Sequence, residues 1–193
     1  MKESSVRETP EGVDARLLTD ATLTEPERRH AVTRELIATR FGVASPAIRL
    51  KREEPGAFGH RTHLTAHVEG DELPLTIKAA TFASTTVVAI ADLHVPLGVD
   101  IRPREVTEAQ VQEMRRHSRL FADADPREVL EHWTRVQAIR EADGRGSRLL
   151  PESVLLDLES LTGWAPDRRT HYRLADLSND TWTVTLAYGA GPL

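Results

Sequence analysis

Apolar and polar positions along the chain change period several times, and each change marks a different kind of element. Residues 1 to about 23 alternate charges with small polar residues and carry no hydrophobic period, which predicts a flexible N-terminal arm. From residue 24 the pattern becomes helical. Thr24 can cap a helix whose first turn holds Glu25, Pro26 and Glu27. Ala31, Val32, Leu36, Ile37 and Ala38 give it an apolar side, and Gly42 is placed to stop it. Between Ala47 and Ile101 the period falls to two. Leu64, Ala66 and Val68 alternate with polar residues, and Glu54-Pro55-Gly56 and Gly70-Asp71 supply turns between runs. Val87 to Ala91 and Leu97 to Ile101 are continuous apolar runs of the kind buried on both faces, and Asp100 is an acid set inside the second.

The helical period returns at Thr107, with Val111, Met114 and Leu120 on the inner side and Arg115, Arg116 and Arg119 on the outer. Pro126 opens a further helix carrying Val129, Leu130, Trp133, Val136 and Ala138, and Asp143-Gly144-Arg145-Gly146 breaks it. Three strand-like runs follow, around Ser153 to Leu158, His171 to Leu177 and Trp182 to Tyr188. Helix, strands, two helices, strands is the order of a mixed α+β domain.

Composition narrows the chemistry. The 193 residues include no cysteine, which removes disulfides, thiolate nucleophiles and Cys-ligated zinc. A formal net charge of -5 argues against general attraction to nucleic acid. No stretch approaches the roughly 18 apolar residues of a membrane span, and the polar start lacks an apolar signal region, so a cytoplasmic protein without membrane partners is expected. There is no Gly-rich nucleotide loop, no zinc-binding His-Glu-x-x-His and no nucleophile elbow.

Two segments together resemble the phosphopantetheinyl transferase superfamily of the surfactin type. One is Gly98-Val99-Asp100-Ile101, similar to the family's Gly-Val-Asp-Ile strand end. The other runs from Trp133-Thr134-Arg135-Val136-Gln137-Ala138 through Ile139-Arg140-Glu141-Ala142 to Asp143-Gly144-Arg145-Gly146. It is similar to the family's Trp-Thr-Arg-Lys-Glu-Ala helix with its Lys-Ala-Asp-Gly-Arg-Gly end. The resemblance implies a domain over residues 24–193 built from two similar α/β halves, roughly 24–101 and 102–193, related by a pseudo-two-fold. Coenzyme A would lie between the halves, and magnesium would be held by Asp100. The family moves phosphopantetheine from coenzyme A to a carrier-protein serine, and magnesium in such a reaction asks for converging carboxylates.

This chain departs from that pattern at its charged positions. Arg102 stands two residues after Asp100 where the family's second acid belongs, and at about 4 Å its charge would oppose a bound cation by roughly 4 kcal/mol per charge pair. Gln137 replaces the helix Glu, Val136 its preceding Lys, and Glu141 the Lys one turn on. Thr81-Phe82-Ala83 stands where a Ser-His-Ser is expected, and Gly59-His60-Arg61 is a distant counterpart of a Gly-Lys-Pro turn.

These changes predict lost magnesium-dependent transfer and a carrier-binding or repurposed protein of natural-product biosynthesis. It would act on a small or carrier-tethered intermediate, with Asp100, Glu141, His94 and His132 as candidate acids and bases. Arg102, Gln137, His60 and Arg61 would line the old coenzyme pocket, and Arg115, Arg116 and Arg119 would form a patch for an acidic carrier helix. The alternative is an active transferase with a rearranged site, in which coenzyme A and magnesium are retained, Arg102 contacts the pyrophosphate, and Glu105 or Glu141 completes a shifted metal site.

Overall fold

Val13–Thr19, read above as part of a flexible arm, is a strand in the interior of a sheet. The computed structural model describes residues 3–6, 9–52, 64–117 and 124–192, a mixed α+β chain that divides into two compact units, Met1–Val95 and Pro96–Leu193. In the first unit β1 (Glu3–Val6), β2 (Val13–Thr19), β7 (Thr85–Asp92) and β6 (Leu75–Phe82) form an antiparallel sheet in the order β1-β2-β7-β6. A smaller sheet joins β3 (Ile48–Arg52), β4 (Leu64–Val68) and β5 (Asp71–Glu72). Helix α1 (Glu25–Phe41) starts at Thr24 in a capping box and ends at Gly42, whose φ of 66° is the left-handed turn a glycine supplies.

The arm reading fails for a physical reason. Val13, Ala15, Leu17 and Leu18 are buried, whereas Asp14 and Arg16 are met by opposite charges on α1. Arg40 reaches Asp14 at 2.7 Å and Arg16 pairs with Glu35. The polar residues that hid the strand in the sequence are paired with charges on the helix. Val32, Leu36 and Ile37 of α1 then pack with Leu18, Ile77, Val88 and Ile90 of the sheet as one core.

The second unit opens with β8 (Leu97–Pro103), followed by α2 (Glu108–Arg116), α3 (Pro126–Ala142), β9 (Leu155–Asp157), β10 (Thr162–Trp164), β11 (Thr170–Asp176) and β12 (Trp182–Pro192). Its sheet runs β8-β12-β11-β10-β9, every pair antiparallel. The boundary between units therefore falls before β8, not after Ile101: this strand pairs with β12 over Leu97 to Pro103.

Asp125 caps α3 through the amides of Arg127 and Glu128 at 2.8 and 2.9 Å, and Thr107 caps α2. Val136 and Ile139 of α3 pack with Tyr172, Leu174 and Ala187, and Val129 and Leu130 pack with Val111 and Met114 of α2. Among the described residues no helix is long and apolar enough to cross a membrane.

The two units share part of their wiring. In the first, the last strand β7 returns antiparallel beside the second strand β2, between β2 and β6, with β1 on the far side of β2; in the second, the last strand β12 returns antiparallel beside the first strand β8, with β11 next in line.

Candidate functional site beneath helix α3

Alternation along β8 sends Leu97, Val99 and Ile101 to one face and Gly98, Asp100 and Arg102 to the other. The second face lies under α3. A Cβ on Gly98 would collide with the Ala138 carbonyl oxygen and the Ala142 amide nitrogen, so helix and strand touch backbone to backbone there, which only glycine permits. Strand register carries this face across the sheet: Asp100 stands opposite Thr185 on β12, Thr185 opposite Asp176 on β11, and Arg102 opposite Thr183. Thr134 of α3 joins the row, its hydroxyl 3.0 Å from that of Thr185. The result is a polar floor of acid, guanidinium and hydroxyls roofed by a helix.

Asp100 is 15% exposed, and burial pushes its carboxyl up to about 6, with the charge of Glu141 adding to the rise. The neighbouring Arg102 works against this, its Nε donating to Asp100 Oδ2 at 3.2 Å. Burial is the larger effect. An acid in this position exchanges its proton near neutrality with a fixed cation beside it.

The charged replacements in the α3 motif have structural destinations. Val136 is 3% exposed and belongs to the apolar core with Leu174 and Ala187. Gln137 accepts a hydrogen bond from Arg140 Nη1 at 2.6 Å through Oε1, while its Nε2 is buried and unpaired among the described residues. Asp143 is fully buried as a side chain. It is held by Arg145, by Arg168 Nε at 3.6 Å and by the Tyr172 hydroxyl at 3.3 Å. Burial, followed by the Asp143 charge, pushes the Tyr172 phenol up to about 12. Arg145 also bonds Asp167, so the Asp-Gly-Arg-Gly end ties α3 to the turn before β11. This is an anchoring network with its valences filled.

The structure thus brings together Asp100, Arg102 and Glu141, with Gln137 one turn before Glu141. It does not add the other candidates to them. His132 lies nine residues before Glu141, half a rotation around the helix, and faces the opposite side. Burial, then the charge of Arg135, lowers its imidazole to about 4, so it is neutral at physiological pH. His94 is exposed in the turn after β7 with φ 71°, in the first unit. Glu105 is exposed ahead of α2. Phe82 ends β6 in the first unit, and the Ala83 carbonyl after it accepts from the buried Arg28 at 2.9 Å.

His60, Arg61 and Arg119 lie outside the described residues. Of the basic residues expected to face outward on α2, Arg115 instead turns in to the Ala124 carbonyl at 2.7 Å, while Arg116 is exposed and pairs with Glu113 at 2.8 Å. Among the described residues no group of three or more His, Asp or Glu is placed to hold a metal ion. The donor set around Asp100, two acids with a guanidinium paired to one of them, does not suit magnesium.

Sequence reading missed a cleft of about 40 Å³ on the same floor, lined by Glu131 and Arg135 of α3, Thr183 and Thr185 of β12, Asp176, Ser178 and the apolar Leu161, Leu174 and Ala175. The signal was present in Trp182-Thr183-Val184-Thr185-Leu186. Its alternation of hydroxyl and apolar residues marks a strand with one polar face under cover. No family model matches the chain, and no curated protein matches its sequence.

Proposed function

We propose that this chain is a phosphopantetheinyl transferase-like protein that has given up magnesium-dependent transfer. In this reading it handles a small or carrier-tethered intermediate of natural-product biosynthesis, with Asp100 as its acid–base group. The observation that carries the reading is the 3.2 Å ion pair between Asp100 and Arg102, at the place where the resembling family gathers carboxylates on a metal. A guanidinium there supplies the positive charge that a cation would otherwise bring. Asp100 is left in a partly desolvated setting where its proton is exchangeable near neutrality. The partly shared strand wiring and the close packing of Gly98 on α3 support the resemblance in fold. The inward Arg115 does not add to a carrier-docking patch on α2.

Arg102 acts in this reading as a positioning residue. It holds the Asp100 carboxylate together with the Ile101 backbone, and a bound group would exchange a proton with that carboxylate. Glu141 opposes ionisation of Asp100 and so keeps it closer to neutral pH.

The test is calorimetric titration with coenzyme A, with and without magnesium, on the wild type and on the double variant Arg102→Glu/Gln137→Glu. The wild type is expected to show no dependence on magnesium. The double variant, with its carboxylates restored, is expected to gain magnesium binding. Tight magnesium-dependent binding of coenzyme A by the wild type, followed by loading of a carrier serine, would overturn the proposal.

A further inference from the structure

Two strands at the margins of their sheets differ in charge. β9 closes one side of the five-stranded sheet, and β3 closes one side of the three-stranded sheet. Residues 149 to 167, around β9, contain four acids and neither Lys nor Arg. Residues 36 to 52, ending with β3, contain four basic residues and no acid. In the first stretch Asp167 is taken by Arg145, and in the second Arg40 is taken by Asp14 and Asp92. Arg49 and Lys51 are exposed on β3, Glu152 and Glu159 are exposed on either side of β9, and none of the four has an ion pair among the described residues.

The same two stretches hold most of the large apolar side chains left in water. Leu150, Leu155, Leu158 and Leu161 are 40 to 57% exposed and Phe41 is 40% exposed; Leu93 stands elsewhere. An edge strand carries unpaired backbone donors and acceptors, and exposed leucines beside it add an apolar reason to be covered. Charge decides which edge can cover which. Acid facing acid bars β9 from a second β9, and base facing base bars β3 from a second β3, so the mixed combination is left. The side chains also match in order. Laid antiparallel with Lys51 opposite Asp157, the segments place Leu50 opposite Leu158 and Arg49 opposite Glu159, Leu158 and Glu159 lying in the turn that follows β9.

We infer that copies of this chain associate head to tail, the basic β3 edge of one seating on the acidic, leucine-lined β9 edge of the next. The contact is heterologous, so it repeats: every copy offers both edges, and the assembly extends or closes into a ring according to the angle between contacts. Short edges and exposed charges make it weak, with a dissociation constant on the order of 100 μM. Salt weakens it further, because the Debye length falls from about 30 Å at 0.01 M to about 3 Å at 1 M. The contact uses no residue of the Asp100 site and stands or falls separately from the acid–base reading.

The test is sedimentation velocity of the full chain up to about 500 μM, at roughly 0.02 M and 0.5 M salt. The weight-average mass is expected to rise with concentration at low salt and to stay at that of one chain at high salt. Arg49→Glu/Lys51→Glu reverses one edge and Glu152→Lys/Glu159→Lys the other. All four positions are exposed, so both variants should keep the far-UV dichroism of the wild type. Each variant alone should sediment as a monomer, since its two edges then lean to one sign, and an equimolar mixture of the two should associate again. Leu158→Ser should weaken association about tenfold. A wild type that stays monomeric at the highest concentration in low salt overturns the inference. Association that survives in either reversed variant alone does so too, as does a mixture that stays monomeric. A monomeric wild type that binds a synthetic Arg-Leu-Lys-Arg peptide would give the β9 edge to a different protein, and the head-to-tail contact would fall with it.

Discussion

One strand in each unit carries the same short polar spacing, Asp14 and Arg16 on β2 and Asp100 and Arg102 on β8, yet the two use it differently. In the first unit the covering helix answers each charge: Arg40 takes Asp14 and Glu35 takes Arg16. In the second unit Arg102 turns to Asp100 along the same strand, and α3 contributes Glu141, whose charge raises the acid further. Complementary helix charges make β2 a structural strand. A helix that leaves the acid to its own strand neighbour, and repels it, makes β8 a place where a proton can be held or released. The same contrast runs through the floors beneath the helices. Val88 and Ile90 of β7 join the core under α1, whereas Thr183 and Thr185 of β12 line a cleft under α3.

The largest way to break the comparison is at the helix ends. Asp143 is fully buried with Arg145 and Arg168 around it, so Asp143→Ala strands cations and is expected to cost about 3–5 kcal/mol in urea unfolding. Next comes pH. Because Asp100 titrates at about 6 in the folded chain and near 3.8 unfolded, the folded state holds the extra proton between those values. Its contribution therefore falls as pH rises, by up to about 3 kcal/mol over that window.

His132 runs the other way. Its folded value of about 4 against 6.5 means that the unfolded chain binds the extra proton, so stability rises with pH across that range. The two effects offset each other where they overlap. Urea unfolding of the wild type between pH 4 and 6 is therefore expected to be flatter than that of either single variant. Asp100→Asn should gain stability toward neutrality and His132→Gln should lose it; parallel curves for all three would refute the pairing.

A smaller loss, about 1–3 kcal/mol, is expected for Gly98→Ala, since the new methyl must push α3 off β8. Faster hydrogen exchange in α3, with α1 unchanged, would identify the affected unit. The smallest effect belongs to the first unit's counterpart of the Asp143 anchor. Arg40 binds Asp14 and Asp92, which are 44% and 72% exposed, so Arg40→Ala should cost about 1 kcal/mol or less and lose even that at high salt.

What the sequence made legible followed from periodicity and caps. Thr24, Thr107, Pro126, Gly42 and the Asp-Gly-Arg-Gly break located α1, α2 and α3, because capping is local chemistry. The runs at Val87 and Leu97 were readable as strands for the same reason. β2 was not, because Asp14 and Arg16 look like solvent-facing charges until the helix that neutralises them, some 20 residues away, is in place. The site was half legible. Asp100, Arg102 and Glu141 are brought together by strand alternation and helix contact, both inferable from spacing. The Thr183–Asp176 cleft depends on cross-strand register, which no local pattern sets. His94 and His132 drew notice as residue types suited to acid–base work, but their positions on a turn and on the far side of α3 follow from angles, not from sequence neighbourhood.

The wiring of the second unit also governs how the chain can be cut and rejoined. Leu97 lies beside Tyr188, so in the second unit the first strand begins close to the far end of the last. A unit whose entrance and exit lie close can be circularly permuted with a short linker, or transplanted as a cassette into another protein's surface loop, without unthreading its core.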